Sequence, residues 1–148
     1  MEIKLPPDFK ELLRLLDKKE VEYLLIGGYA VAYHGYPRST QDIDIWIAIH
    51  PDNAERMVAV LEEFGFGVPE LSTSLFLRDN SIVRMGEAPL RIDISTKISG
   101  VNFAECYAKR IIEKIDDFEV HFINLHDLKV NKKASARDKD LIDLKNLP

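Results

Sequence analysis

Apolar residues recur along this chain in blocks whose period switches between helical and extended. Phe9, Leu12, Leu13 and Leu16 follow the i, i+3, i+4, i+7 spacing of a helix with one buried face. Pro6-Pro7-Asp8 opens that helix, because proline is tolerated in a first turn and Asp8 complements its positive end. Lys18-Lys19-Glu20 closes it. Residues 21–26 are short, apolar and stopped by Gly27-Gly28, the pattern of a buried strand. Residues 29–36 carry almost no polar side chain except His34 and predict a short buried helix. Gly35, Pro37 and Ser39 mark a loop, and residues 42–49, β-branched and alternating, predict a second strand. His50-Pro51-Asp52-Asn53 starts another helix striped by Ala54, Met57, Leu61 and Phe64, which Gly65 and Gly67 terminate.

Further along, strands are predicted over 75–77, 82–85 and 90–95, divided by Asp79-Asn80 and by residues 86–89. Residues 103–108 suit a short helix, and 110–115 and 118–123 form a hairpin about Asp116-Asp117. Asn124 can cap a helix running to about 134, and a last helix spans 138–146. This alternation predicts an α/β (α+β) fold, a mixed β-sheet flanked by helices. One domain over 1–148 is expected, its core at about 21–96, completed by the C-terminal hairpin and helices at about 103–148. No internal repeat or linker interrupts it.

Composition narrows the class. A length of 148 residues suits one hydrophobic core. No apolar run approaches the roughly 20 residues of a membrane span, and the N-terminus lacks the form of a signal peptide. The single cysteine, Cys106, cannot form an internal disulfide and has no Cys-His cluster around it. A reducing cytoplasm is the simplest expectation. The net charge of −5 argues weakly against broad nucleic-acid binding. From Lys129 to Lys145, however, six basic residues face three acidic ones, which reads either as a solvated helical face or as a cationic wall for polyphosphate.

The chemistry concentrates in the second strand. Asp42 and Asp44 stand two residues apart, so period-two alternation points both carboxylates to one face and Ile43 and Ile45 to the other. Such a pair can simply face solvent, but aspartates are disfavoured in strands and repel one another across a sheet, so a pair among isoleucines reads equally as the seat of a neutralising cation. Leu90-Arg91-Ile92-Asp93-Ile94-Ser95 places another carboxylate between isoleucines. If that strand is a neighbour of the first, Asp93 completes a triad suited to Mg²⁺, which prefers oxygen ligands and shares its shell with phosphates. Gly27-Gly28, between a strand and a helix, lets backbone approach an anion, although such a pair often only makes a turn. It fits neither the dinucleotide nor the P-loop pattern.

Ile26-Gly27-Gly28-Tyr29 through Gly35, then Arg38-Ser39-Thr40-Gln41-Asp42-Ile43-Asp44-Ile45, resembles the signature of polymerase-β-type nucleotidyltransferases. Arg91-Ile92-Asp93-Ile94 is similar to its third acidic element. Leu125 to Leu128, Lys132-Lys133-Ala134 and Arg137 to Leu144 resemble the tail of small stand-alone prokaryotic members related to AbiEii-type abortive-infection toxins and antitoxin-like proteins. The resemblance implies that Asp42, Asp44 and Asp93 are catalytic and hold Mg²⁺ in a two-metal site, Mn²⁺ being the alternative ion. It implies that Gly27, Gly28, Arg38 and Lys132 bind the nucleotide, ATP first among NTPs. NMP would pass to a hydroxyl acceptor with release of pyrophosphate.

For Arg38 the plainer alternative is a salt bridge to Asp42 or Asp44; for Lys132 it is a surface lysine. Asp140 could orient Lys132 or Arg137. A packed, hydrogen-bonded role is expected for His34, and core roles for Trp46 and Phe64; Tyr29 and Tyr33 suit either packing or the pocket edge. Two departures stand out. Gly28 replaces the serine many members carry, and no helical acceptor domain follows the core. The acceptor (tRNA, protein or small molecule) therefore stays open, as does a toxin or antitoxin partner or a homodimer. A non-catalytic binding partner and a metal-dependent phosphodiesterase or nuclease remain the alternatives.

Overall fold

The computed structural model of the protein describes residues 4–87 and 89–148. The N-terminal residues 1–3, and residue 88 of the loop expected over 86–89, lie outside the described residues. Helix α1 (Pro7–Lys18) leads into β1 (Tyr23–Ile26), α2 (Gly27–Tyr33), β2 (Asp42–Ile47) and α3 (Pro51–Phe64). Strands β3 (Ile82–Met85) and β4 (Arg91–Ser95) follow, then α4 (Phe103–Ala108), β5 (Ile111–Ile115), β6 (Phe118–Phe122), α5 (Leu125–Ser135) and α6 (Asp138–Asn146). The strands form one mixed sheet in the order β3-β4-β2-β1-β6-β5. The architecture is α/β. Among the described residues no helix is long and apolar enough to cross a membrane.

Alternation along the central strands sorts the two faces of the sheet. Tyr23, Leu25, Ile43, Ile45, Ile47, Ile92 and Ile94 enter the main core with Phe9, Leu12 and Leu16 of α1 and Ala54, Met57 and Leu61 of α3. The core thus draws on α1 and on Phe118, Val120 and Phe122 of β6 as well as on residues 21–96. On the opposite face Leu24, Ile26 and Trp46 pack with Val31, Cys106, Ile123 and Leu128. That second cluster covers only part of its face. Beyond Trp46 the same row of β2 continues as Asp44 and Asp42, and the side chains there open into a cleft.

Three local outcomes differ from the sequence reading. The strand expected at 75–77 is a 3₁₀ turn, Thr73–Phe76. Its one buried residue, Phe76, joins the main core, and the edge of the sheet is already taken by β3. Helix α2 starts at the glycine pair and not after it, because Gly27 takes φ +67° and turns the chain directly from strand to helix. Strand β2 ends at Ile47, before the expected 49.

Buried Asn53 explains how α3 is tied to the sheet. Its Nδ2 donates to the carbonyls of Glu22 and Ala48 at 3.1 and 3.0 Å, and its Oδ1 accepts from the Glu22 amide at 2.7 Å. It thereby satisfies partly buried backbone groups that flank β1 and β2. Asn53→Ala should lower unfolding free energy by about 2–4 kcal/mol, since three hydrogen bonds to partly buried backbone groups are lost at once. Urea denaturation measures this, and a loss below about 0.5 kcal/mol, the level of an ordinary surface change, would contradict it.

Candidate active site

Pairing register builds the floor of the cleft. Strands β2 and β4 run parallel with Asp42 opposite Arg91 and Asp44 opposite Asp93. Strand β3 runs antiparallel on the other side of β4 with Arg84 opposite Asp93. Asp42, Asp44 and Asp93 therefore share one face, and all three line a cleft of about 660 Å³. Gly27, Gly28, Arg38 and Lys132 line the same cleft. Every site residue expected from sequence is thus gathered around one space.

The two glycines have different local reasons. A Cβ on Gly27 would lie 2.2 Å from Asp44 Oδ2, and its positive φ disfavours any other residue. Gly27 is the space in which the Asp44 carboxylate sits, with Ile26 opposite Asp44 across β1 and β2. A Cβ on Gly28 would lie 2.8 Å from Thr40 Cβ and Oγ1. The position where many superfamily members carry serine is here closed by Thr40, which lines the cleft and donates its hydroxyl to the Asp42 carbonyl at 3.1 Å.

Lys132 is buried, 4% exposed, and is no surface lysine. Its Nζ lies 3.1 Å from Asp140 Oδ1 and 3.0 Å from Asp143 Oδ2. Both aspartates are fully buried on α6. Arg38 reaches from the loop before β2 and donates through Nε and Nη2 to the two oxygens of Asp143, at 2.8 and 2.9 Å. Its partner is therefore Asp143 and neither Asp42 nor Asp44, because the C-terminal helix brings an acid to it from the other side. Arg137 Nε and Ser135 Oγ both donate to Asp140 Oδ2, at 2.8 and 2.7 Å. Asp140 so contacts Lys132 and Arg137 alike. Burial alone would raise its pKa, but the hydrogen bonds from Arg137, Ser135 and Lys132 hold it well below the usual carboxylate range. Three cations share two carboxylates, which leaves surplus positive charge beside Asp44.

The acids face the opposite imbalance. Burial first, then the charges of Asp93 and Asp42, push the Asp44 carboxyl up to about 6, against the pull of Lys139 and Lys132. Asp93 Oδ1 is buried without a hydrogen-bond partner among the described residues. Crowded carboxylates, one of them with an orphaned oxygen, suit a hard divalent cation bound through oxygen. Their oxygens nonetheless stand further apart than those of a closed ligand cluster. Among the described residues, the acid and imidazole group whose ligand atoms all lie within 4.8 Å of one another is Asp17, Glu119 and His121, outside this cleft.

The remaining aromatic expectations resolve by packing. His34 bonds through Nε2 to the Ile123 carbonyl at 2.7 Å. Trp46 is core. Phe64 is partly buried against the main core. Tyr29 packs edge-on against Phe9, and Tyr33 stacks on Phe122 and donates to Glu113. Sequence reading missed Arg84, Arg91, Thr40 and Asp143. Arg91 stood next to the acidic motif, which offered a signal, and Asp143 follows Asp140 by three positions on one helical face, which groups the two acids without showing that the face is buried.

A mixed sheet that sets two acids on one strand beside a third on its parallel neighbour, under a strand–Gly-Gly–helix turn, has the fold of a nucleotidyltransferase. A family model described as "Nucleotidyltransferase of unknown function (DUF6036)" matches residues 4–147, nearly the whole chain, and the protein belongs to that family. A search of curated proteins finds no match.

Two outcomes follow from the charges. Asp143→Ala leaves Lys132 and Arg38 short of a buried partner and should lower stability by about 3–5 kcal/mol, checked by chemical denaturation. Asp44 has a folded-state pKa above its unfolded value of about 3.9, so its favourable contribution is full below that value and is lost as pH rises through 6. Without added metal, the melting temperature of Asp44→Asn relative to wild type should therefore climb between pH 4.5 and 7. A flat or falling difference would show that Asp44 is not strained by its neighbours.

Proposed function

We propose that this protein is a metal-dependent nucleotidyltransferase that moves NMP from an NTP to a hydroxyl acceptor. One observation carries the reading: the in-register pairing that stands Asp44 beside Asp93, with Asp42 on the same face, at the floor of a cleft edged by basic side chains. An isolated acidic pair is compatible with many roles. Three convergent acids, a glycine turn and a buried lysine around one space are the parts a single transfer reaction needs.

Asp42, Asp44 and Asp93 would hold Mg²⁺, which when bound neutralises charge on the α-phosphate and on the leaving pyrophosphate. The chain's own residues supply the rest. The backbone at Gly27 and Gly28 gives the triphosphate close access to the sheet. Lys132, fixed between Asp140 and Asp143, and Arg38, fixed by Asp143, hold positive charge at set positions near it. Pre-set charge of this kind lowers a barrier because nothing has to reorganise as the pentavalent phosphorus forms. The acceptor oxygen bonds to the α-phosphorus while the bond to the bridging oxygen breaks. A carboxylate of the site, Asp93 first, takes the hydroxyl proton.

Incubation with each labelled NTP, Mg²⁺ and a cell lysate should yield a labelled acceptor together with pyrophosphate. Asp44→Asn should reduce transfer by about a thousandfold or more, comparable to loss of a central electrostatic group, while the fold is retained. Undiminished transfer by Asp44→Asn would sink the mechanism. Release of free phosphate, or cleavage of nucleic acid, would point to a hydrolase built on the same acids.

A further inference from the structure

Two arginines stand in this cleft without a role in the mechanism above. Arg91 lies two residues before Asp93 on β4 and directly opposite Asp42 on β2, while Arg84 on β3 lies directly opposite Asp93. Each acidic position at this edge thus faces a cation across the strand pair. Arg91 Nη2 donates to Asp42 Oδ2 at 2.9 Å. Arg91 Nε and Arg84 Nε both lie 3.6 Å from the same atom, Asp93 Oδ1. That distance gives charge compensation without a hydrogen bond. Arg91 Nε and Asp93 Oδ1 are accordingly both buried and both lack a hydrogen-bond partner among the described residues.

These contacts are unlike those in the other charge network of the cleft. Arg38 grips Asp143 with two parallel hydrogen bonds, and Asp143 is buried. Arg84 and Arg91 hold Asp93 loosely, Arg91 grips Asp42 with a single hydrogen bond and not a fork, and the two side chains are 64% and 40% exposed. Loose, partly exposed ion pairs exchange readily, because solvent screens them and the long side chain can turn away. A divalent cation that coordinates Asp42 and Asp93 at about 2.1 Å would come much closer than either guanidinium and would repel both.

We infer that Arg91 and Arg84 are resident counter-cations of the acidic site, exchanged for the divalent metal and then free to hold a phosphate group of the substrate. This rests on the nucleotidyltransferase reading. The two arginines stabilise the carboxylates before metal arrives and so compete with it. Once displaced they stand at the β3–β4 edge of the cleft, which Lys97 also lines. A guanidinium fork without a carboxylate matches a phosphate oxygen pair. Metal loading thereby switches this edge from acid-binding to anion-binding, and orders the two events.

Calorimetric titration of the full chain with Mg²⁺ alone tests the first half. Arg91→Met should bind Mg²⁺ roughly threefold or more tightly than wild type, because a competing charge is gone. Arg84→Met should shift the same way by less. At saturating Mg²⁺, titration with inorganic triphosphate and, separately, with a short single-stranded oligoribonucleotide tests the second half. Arg91→Met should weaken one of them about tenfold, and which one identifies the phosphate as the nucleotide's or the acceptor's. Arg91→Lys, which keeps the charge and loses the fork, should bind Mg²⁺ like wild type and still bind that anion weakly. Unchanged or weaker Mg²⁺ binding in both methionine variants, or unchanged affinity for both anions, overturns the inference. If wild type binds no Mg²⁺, or binds it as Asp44→Asn does, the reading beneath it falls instead. Thermal unfolding without Mg²⁺ verifies that each variant is folded, and Arg84→Met carries the test should Arg91→Met not fold.

Discussion

Mutual repulsion among Asp42, Asp44 and Asp93 is the constraint around which the rest of this structure is arranged. The strands that carry them pair in register, so the carboxylates cannot separate without breaking the central ladder. Their opposite faces, Ile43, Ile45, Ile92 and Ile94, are sealed in the core. A one-residue slip of either strand would bury acids among α1 and α3, so the apolar face fixes the register and the register fixes the crowding. Neighbouring features answer that crowding. Gly27 leaves room for one carboxylate, Arg91 and Arg84 lean towards the other two, and Lys132 and Lys139 add positive field from the C-terminal helices.

The second buried charge system gives α5 and α6 their place. Lys132, Asp140, Asp143, Arg38 and Arg137 link the last two helices to each other and to the loop that enters β2. Buried ion pairs often add little net stability against an apolar alternative, because desolvating each charge offsets most of the attraction. Their value here is positional. An apolar contact could hold α6 against the loop, but it could not keep a lysine charged in a nearly dry position beside the acidic floor. The turn between α5 and α6 runs through Ala136 in the left-handed region, φ 52°, which lets Arg137 fold back onto Asp140.

The cleft therefore has two kinds of wall. On the sheet side Asp93 meets both arginines only at 3.6 Å, Asp42 takes one hydrogen bond from Arg91, and the arginines stand partly in solvent. On the helix side Lys132, Asp140 and Asp143 are paired by direct contacts and out of it, with Arg137 at the solvent edge. The first arrangement is suited to exchange and the second to permanence, and the difference follows from contact distance and from the burial of Lys132 between two acids. Such a division fits the proposed reaction, in which a metal enters ahead of a polyanion while part of the positive charge stays fixed throughout.

How much of this was legible depends on the range of the interaction. Period-two alternation set the facing of Asp42 and Asp44, and the helical stripe of Phe9, Leu12, Leu13 and Leu16 set the buried face of α1, because both depend only on backbone geometry within one element. The acids and the glycine pair were likewise marked by residue type and spacing, whereas Lys132 was marked only by the family resemblance of the tail. Helix α6 was different. It buries Asp140 and Asp143 and exposes Leu141 and Ile142, the reverse of an amphipathic pattern, so no local rule could assign its inner face. The partner of Arg38, the closure of Gly28 by Thr40, and the placing of Arg84 and Arg91 against the acids also escaped. Each joins residues from different elements, whose adjacency exists only after strand order and register are set. The sequence by itself determined which groups carry charge and which face each strand buries. Only the tertiary structure decided which charges meet, because electrostatic pairing depends on distance in space, and that distance is fixed by packing of the sheet and its helices.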